Sequence, residues 1–233
     1  GAGAVGCYYG AMLAKAGEEV VLIGRSALVE AVSERDLLLE KGGVTEAVAV
    51  EASADPAAVA GADFVLICVK SPDTQAAADA VKPYLSPSAT VLSLQNGIGN
   101  AAILSEVLGR PALPVVVYVA VGMAGPGHVA HKGRGELVLG EGPGAEAAAA
   151  LFNTAELPSG FGAMRDLSQR IRVEGDLEGM RALAQKGTLV VVPTHSSNLD
   201  SIVLGWSLLH AGLPPCTYGA GKNLFSNKLI GFF

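Results

Sequence analysis

The first six residues constrain this chain more than any others. Gly1-Ala2-Gly3-Ala4-Val5-Gly6 runs directly into a stretch, Val5 to Ala16, with the composition of a helix and with Gly17 as its stop. A G-x-G-x-x-G loop that opens a helix has a physical purpose. The first glycine permits a tight turn, the second lets a pyrophosphate approach the backbone, and the third lets the helix lie close on a sheet. The helix amino end, at Ala4 and Val5, then directs unpaired N–H groups at phosphate oxygens. Gly1, Gly3, Ala4, Val5 and Gly6 are therefore candidate cofactor-binding residues. Such a loop ordinarily follows a buried strand, so a strand ahead of Gly1 is expected outside the given sequence. The apolar Leu229-Ile230-Gly231-Phe232-Phe233 likewise reads as an element cut short.

Apolar runs alternate with helical stretches over the next hundred residues, the pattern of parallel strands joined by crossover helices. Glu19 to Ile23 reads as a strand ending in Gly24-Arg25-Ser26. Phe64 to Val69 (FVLICV) is a buried strand leading into Lys70-Ser71-Pro72. Thr90 to Leu94 leads into Gln95-Asn96-Gly97-Ile98-Gly99, and Val115 to Val121 is a fourth strand. Gly127 to His131 and Glu136 to Leu139, around Lys132-Gly133-Arg134-Gly135, suggest a β-hairpin that closes the unit. The strand after the glycine loop selects the cofactor. An NAD site wants an acidic residue at its end, but this chain has Arg25, whose guanidinium suits a 2′-phosphate, with the Ser26 hydroxyl beside it. The expected cofactor is NADP(H). Taken alone, Arg25 also reads as a solvated surface arginine.

Half of the 233 residues are hydrophobic and 16% are charged, which favours a packed core over disorder. The net charge of −6 argues against a nucleic-acid partner. Cys7, Cys68 and Cys216 lack metal-ligand spacing, so no metal is expected, and an odd unpaired set fits a reducing, cytoplasmic setting. No apolar run reaches the ~18–20 residues that span a bilayer.

Taken together, GAGAVG, IGRS, LICVKS, SLQNGIGN and GPGHVAHKGRGELVLGE resemble the ketopantoate reductase (2-dehydropantoate 2-reductase) family over about residues 1–160. The resemblance implies a Rossmann-like parallel sheet and NADPH-dependent reduction of a small-molecule ketoacid in pantothenate biosynthesis. It implies that Asn96 lies near the nicotinamide and substrate, as a catalytic residue that also binds cofactor, and that Lys70 lines the cofactor cleft. By themselves, Asn96-Gly97 also reads as a turn pair and Lys70 as a solvated lysine. The family's helical second domain carries a lysine general acid, and the expected lysine-bearing helix does not follow residue 165. General acid catalysis contributes ~10²–10⁴-fold, so cofactor binding with little or no turnover is the expectation.

The last seventy residues change character. Asp176 to Gln185 reads as an amphipathic helix with Leu177, Met180, Leu183 and Ala184 on one face, and Gly187 to Pro193 as a buried strand. His195-Ser196-Ser197-Asn198-Leu199-Asp200 follows at once. In this H-x4-D spacing His195 can take the proton of an attacking hydroxyl, and Asp200, one turn along, can fix the imidazole tautomer. VPTHSSNLDSIVLG and YGAGKNLF resemble the glycerol-3-phosphate and lysophosphatidate acyltransferase superfamily from about residue 172. That resemblance implies an acyl-CoA or acyl-carrier-protein donor and, in a full-length protein, peripheral membrane contact. It also implies later motifs, an arginine-bearing block and an E-G block, that the sequence ends before reaching. The expected fold class is α/β throughout: a Rossmann-like domain over 1–160, a junction over 161–171, and the amino-terminal part of an acyltransferase over 172–233. Residues 161–173 (FGAMRDLSQRIRV) fit neither family cleanly, and the abrupt switch suggests a recombined or misassembled coding sequence, or an engineered chimera. Two other readings stand beside this one. The first is an NADP-binding glycerol-3-phosphate dehydrogenase-like domain that supplies the acyltransferase. The second is a nucleotide-binding module without turnover.

Overall fold

The glycine loop folds as its sequence dictates, into helix α1 (Ala4–Lys15) with Gly3 at its N-cap. Cys7 through Leu13 are all buried, so α1 is enclosed on every side and not merely laid on a surface. The computed structural model describes residues 1–97, 99–161 and 176–185. The chain divides into two units, Gly1–Asp166 and Leu167–Phe233.

In the first unit the apolar runs become β1 (Val21–Ile23), β5 (Phe64–Ile67), β6 (Thr90–Ser93) and β7 (Ala112–Gly125). Strands β5, β6 and β7 pair in parallel. β1 pairs in parallel with β4 (Glu51–Ser53) in a separate two-stranded ladder. Helices α2 (Ser26–Arg35), α3 (Thr74–Val81) and α4 (Asn100–Leu108) make the crossovers. Side chains alternate across β5 and β6. Val65, Ile67 and Val91 join one core with Ala78, Val81, Leu104 and Leu108 of α3 and α4. Leu92 and Leu94 join a larger core around α1. Burial on both faces explains why these strands read as unbroken apolar runs.

Two antiparallel hairpins complete the sheet. Strands β2 (Leu37–Lys41) and β3 (Val44–Val48) are joined at Gly42 and Gly43, with φ of 61° and 81°. Positive φ at both central residues is the type I′ geometry that matches strand twist. The closing hairpin differs from the expected one. Its arms are β7 and β8 (His128–Leu139), turning at Pro126-Gly127, and β8 is a single strand through Lys132–Gly135. One edge of β8 follows β7. The other pairs with β2 at His128–His131 and with β9 (Ser159–Phe161) at Leu137–Leu139. Between those partners the backbone bulges, with Arg134 at φ 63°. The Tyr9 hydroxyl donates to the Gly135 carbonyl at 3.4 Å, and the Tyr8 ring stacks on His131 at 4.7 Å. Two α1 tyrosines thus close the stretch where β8 changes partner. Helix α5 (Ala145–Thr154) packs Phe152 against Tyr9, with ring centroids 6.2 Å apart.

In the second unit, helix α6 (Leu177–Ala184) is capped by Asp176, whose Oδ1 accepts from Gly179 N at 2.8 Å. Leu183 is largely exposed. His195, Asp200, the strand expected at 187–193 and the segments beyond lie outside the described residues. No helix among the described residues is long and apolar enough to cross a membrane.

Candidate dinucleotide site

At the carboxyl ends of β1, β5 and β6 the chain brings the predicted cofactor residues into one row. The Ala2 amide donates to the Ile23 carbonyl at 2.9 Å, joining the glycine loop to the end of β1. A Cβ on Gly24 would stand 3.3 Å from Ala2 Cβ, so Gly24 and Arg25 flank the loop on that side. On the other side Gly1 lies against Val69, whose side chain a Cβ on residue 1 would overlap. A Cβ on Gly6 would stand 3.5 Å from Cys68 Cβ. The loop is therefore held between Gly24-Arg25 and Cys68-Val69-Lys70.

Each glycine has a distinct local reason. Gly6 has no room for a side chain, because its Cβ would lie 2.5 Å from the Gly1 carbonyl oxygen. Gly3 is the opposite case: it has φ −84°, and nothing lies within 4 Å of its Cβ position. Space beside an N-cap is what a close-approaching phosphate needs. Helix α1 has no side-chain cap at Gly3 and no acidic residue in its first turn, so its leading N–H groups at Ala4 and Val5 meet no competing carboxylate there. Arg25 is the exposed N-cap of α2, and Ser26 is the first residue of that helix, also exposed. These residues fit a dinucleotide with an anionic group at the β1 end.

Lys70 and Asn96 occupy equivalent places. β5 and β6 are in register, with Ile67 opposite Ser93, and Lys70 and Asn96 each follow three residues later. Both are exposed, while Gln95 beside Asn96 is buried. The loops that carry them are joined by side chains that no sequence motif singles out. Gln95 Nε2 donates to the Val69 carbonyl at 3.0 Å and to Thr74 Oγ1 at 2.7 Å. Ser71 Oγ and Asn100 Nδ2 donate to the Asn96 carbonyl at 3.1 and 3.0 Å. Their signal in the sequence is slight: single polar residues at strand ends look like loop.

Two thiols line the underside. Burial pushes Cys7 up to about 12, with nearby Cys68 adding to the shift. Burial pushes Cys68 up to about 11. Neither is poised as a thiolate nucleophile at neutral pH. A separate shallow groove between α3 and α4, lined by Ser71, Thr74, Ile103 and Glu106 among others, includes none of Arg25, Lys70 or Asn96.

Known proteins and family models match much of this chain. The family model for ketopantoate reductase PanE/ApbA matches residues 1–144, more than half of the chain, and an acyltransferase family model matches residues 174–233. A 2-dehydropantoate 2-reductase from Halobacterium salinarum is 35% identical over 217 residues, covering 87% of this chain and 71% of its own length. One from Pyrococcus horikoshii is 37% identical over 140 residues, covering 60% of this chain and 45% of its own. The chain thus spans less than half the length of that second relative. Among solved structures, a PanE/ApbA family ketopantoate reductase from Ralstonia eutropha JMP134 superposes with a TM-score of 0.69 at 38% identity, covering 97% of this chain and 83% of its own. With its glycine loop, its paired Lys70 and Asn96 loops and its closing hairpin, the chain belongs to the ketopantoate reductase PanE/ApbA family.

Proposed function

We propose that the first unit binds NADP(H) and reduces 2-dehydropantoate (ketopantoate) to pantoate, the step expected of its family in pantothenate biosynthesis. The observation that carries the reading is the row of Arg25, the glycine loop, Lys70 and Asn96 along three strand ends. Ligands of open α/β sheets bind outside the carboxyl ends of strands. In this reading Gly1, Gly3, Ala4, Val5 and Gly6 bind the pyrophosphate through backbone N–H groups. Arg25 and Ser26 bind the 2′-phosphate, Lys70 lines the cleft, and Asn96 orients the ketoacid. The bound nicotinamide supplies the hydride that reduces the ketone carbon. The ketone oxygen must gain a proton as it becomes a hydroxyl, so turnover requires a proton donor within reach of that oxygen.

The second unit we read as acyltransferase-derived, on the match to residues 174–233. There His195 is the candidate base and Asp200 its orienting partner, with an acyl thioester as donor. The boundaries proposed are 1–160, a junction over 161–171, and 172–233.

The test is NADPH oxidation by the whole chain with ketopantoate, dihydroxyacetone phosphate or neither. Oxidation that depends on ketopantoate supports the reading. Oxidation with dihydroxyacetone phosphate alone favours a glycerol-3-phosphate dehydrogenase activity. NADPH binding without oxidation of either kind makes the unit a nucleotide-binding module.

A further inference from the structure

Among the described residues, the buried polar side chains are Thr74, Ser93, Gln95 and Asn100, and all four belong to one network. Ser93 Oγ donates to Gln95 Oε1 at 3.0 Å, orienting the amide so that Nε2 reaches Val69 O and Thr74 Oγ1. The Thr74 hydroxyl in turn donates to the Ser71 carbonyl at 2.8 Å, with Asn100 Oδ1 3.3 Å away. Asn100 Nδ2 bridges Ser71 Oγ at 3.1 Å and the Asn96 carbonyl at 3.0 Å. The chain has placed hydrogen-bonding groups where an apolar core would pack without desolvation cost. A satisfied buried network is rigid, and one missing partner leaves the rest unpaired in low dielectric.

We propose that Gln95 and Asn100 are positioning residues that lock the β5–α3 and β6–α4 loops into one body, holding Lys70 and Asn96 at a fixed separation. The proposal rests on the reading of Lys70 and Asn96 as cleft residues. Its geometry has three parts. The two loops leave adjacent parallel strands in register. The Asn96 carbonyl is held by Ser71 and Asn100 together, which fixes the backbone that carries its carboxamide. Gly97, at φ 105°, turns the chain immediately afterwards, with Asn100 Nδ2 3.5 Å from its Cβ position. The bonds to Val69 O and Asn96 O sit one residue before Lys70 and at Asn96 itself, so their loss frees the loops where the cleft residues stand.

The test is Asn100→Asp in the whole chain. It keeps Oδ1 facing Thr74 and removes the donor to Asn96 and Ser71. We expect ketopantoate-dependent kcat to fall by about 10²-fold, as misplacement of a reacting group by about 1 Å does. NADPH affinity should change less than about 3-fold, because the glycine loop and Arg25 are untouched. Ser71→Ala, on the exposed side of the same bridge, should give a smaller loss of the same kind should the aspartate variant fail to fold. An unchanged kcat overturns the proposal, and so does a parallel fall in kcat, NADPH affinity and unfolding midpoint. If the parent chain shows no ketopantoate turnover, the functional reading fails and this one is still decided by amide exchange. The amide of Asp73, which donates to the Lys70 carbonyl, should then exchange at least about 10-fold faster in either variant, with β5 and α1 unchanged. Equal exchange there overturns it.

Discussion

The Gly1 carbonyl oxygen lies 2.5 Å from the position a Cβ would take on Gly6, whereas the Cβ position on Gly3 is open for 4 Å. The two glycines of one motif therefore serve different ends. Gly6→Ala should destabilise the fold by about 1–3 kcal/mol, the usual cost of forcing atoms into a packed site. Gly3→Ala should leave the unfolding midpoint unchanged and weaken NADPH binding by at least about 10-fold, because its methyl group stands where phosphate must approach. Urea melts and NADPH titrations of both variants check this. Equal stability losses would contradict it.

Arg25 stands exposed at the α2 N-cap, one residue past Gly24, which abuts the glycine loop. Arg25→Asp should weaken NADPH binding by more than about 10-fold, since a charge-assisted contact becomes a repulsion. NADH, which lacks the 2′-phosphate, should be affected far less. Parallel titrations decide it, and unchanged NADPH affinity removes Arg25 from the site.

Arg110 clasps the turn ahead of β6. Its guanidinium donates to the carbonyls of Ser86 and Pro87 at 2.7 Å and of Ala89 at 2.5 Å. Arg110→Ala should cost about 2 kcal/mol, in the range for hydrogen bonds to charged groups. Arg110→Lys should recover only part of that, because an ammonium lacks the planar fork. Chemical denaturation of the two variants gives the comparison.

The parts of the fold that could be read from the sequence are those whose cause is local. The glycine loop, the FVLICV run and the Thr90–Leu94 run each declare an element by their own residues, and β5 and β6 lie where those runs are. Elements set by distant partners were not legible. Leu37–Lys41 is a strand because Leu38 pairs with Ala47 and with His128, ninety residues on, and its one local signal is the Gly42-Gly43 hairpin turn. β8 reads as two pieces because Gly133 and Gly135 look like breaks, but the sheet on either side carries the strand through as a bulge. Lys70 and Asn96 were legible as motif residues. Gln95, Thr74 and Asn100 were not, because only the fold shows that they are buried.

The thiols predict an alkaline limit. Cys7 and Cys68 ordinarily ionise at 9.0 and are raised by burial to about 12 and about 11. Below pH 9 both states hold these protons and the stability is fully present. Above it the unfolded chain releases them first, so stability falls as pH rises towards the folded values. Urea midpoints should drop between pH 9 and 10.5, and Cys7→Ala should flatten that drop by up to about one proton, or roughly 1.4 kcal/mol per pH unit. An unchanged slope in the variant would show that Cys7 ionises normally in the folded chain.

In the proposed function the first unit holds an NADP(H) cofactor along the row from Arg25 to Asn96. Its most direct test is equilibrium titration of the whole chain with NADPH and NADH, followed by NADPH fluorescence. Saturable NADPH binding at least about 10-fold tighter than NADH is expected, from the charge-assisted contact to the 2′-phosphate. Binding of neither nucleotide, or equal binding of both, would contradict it.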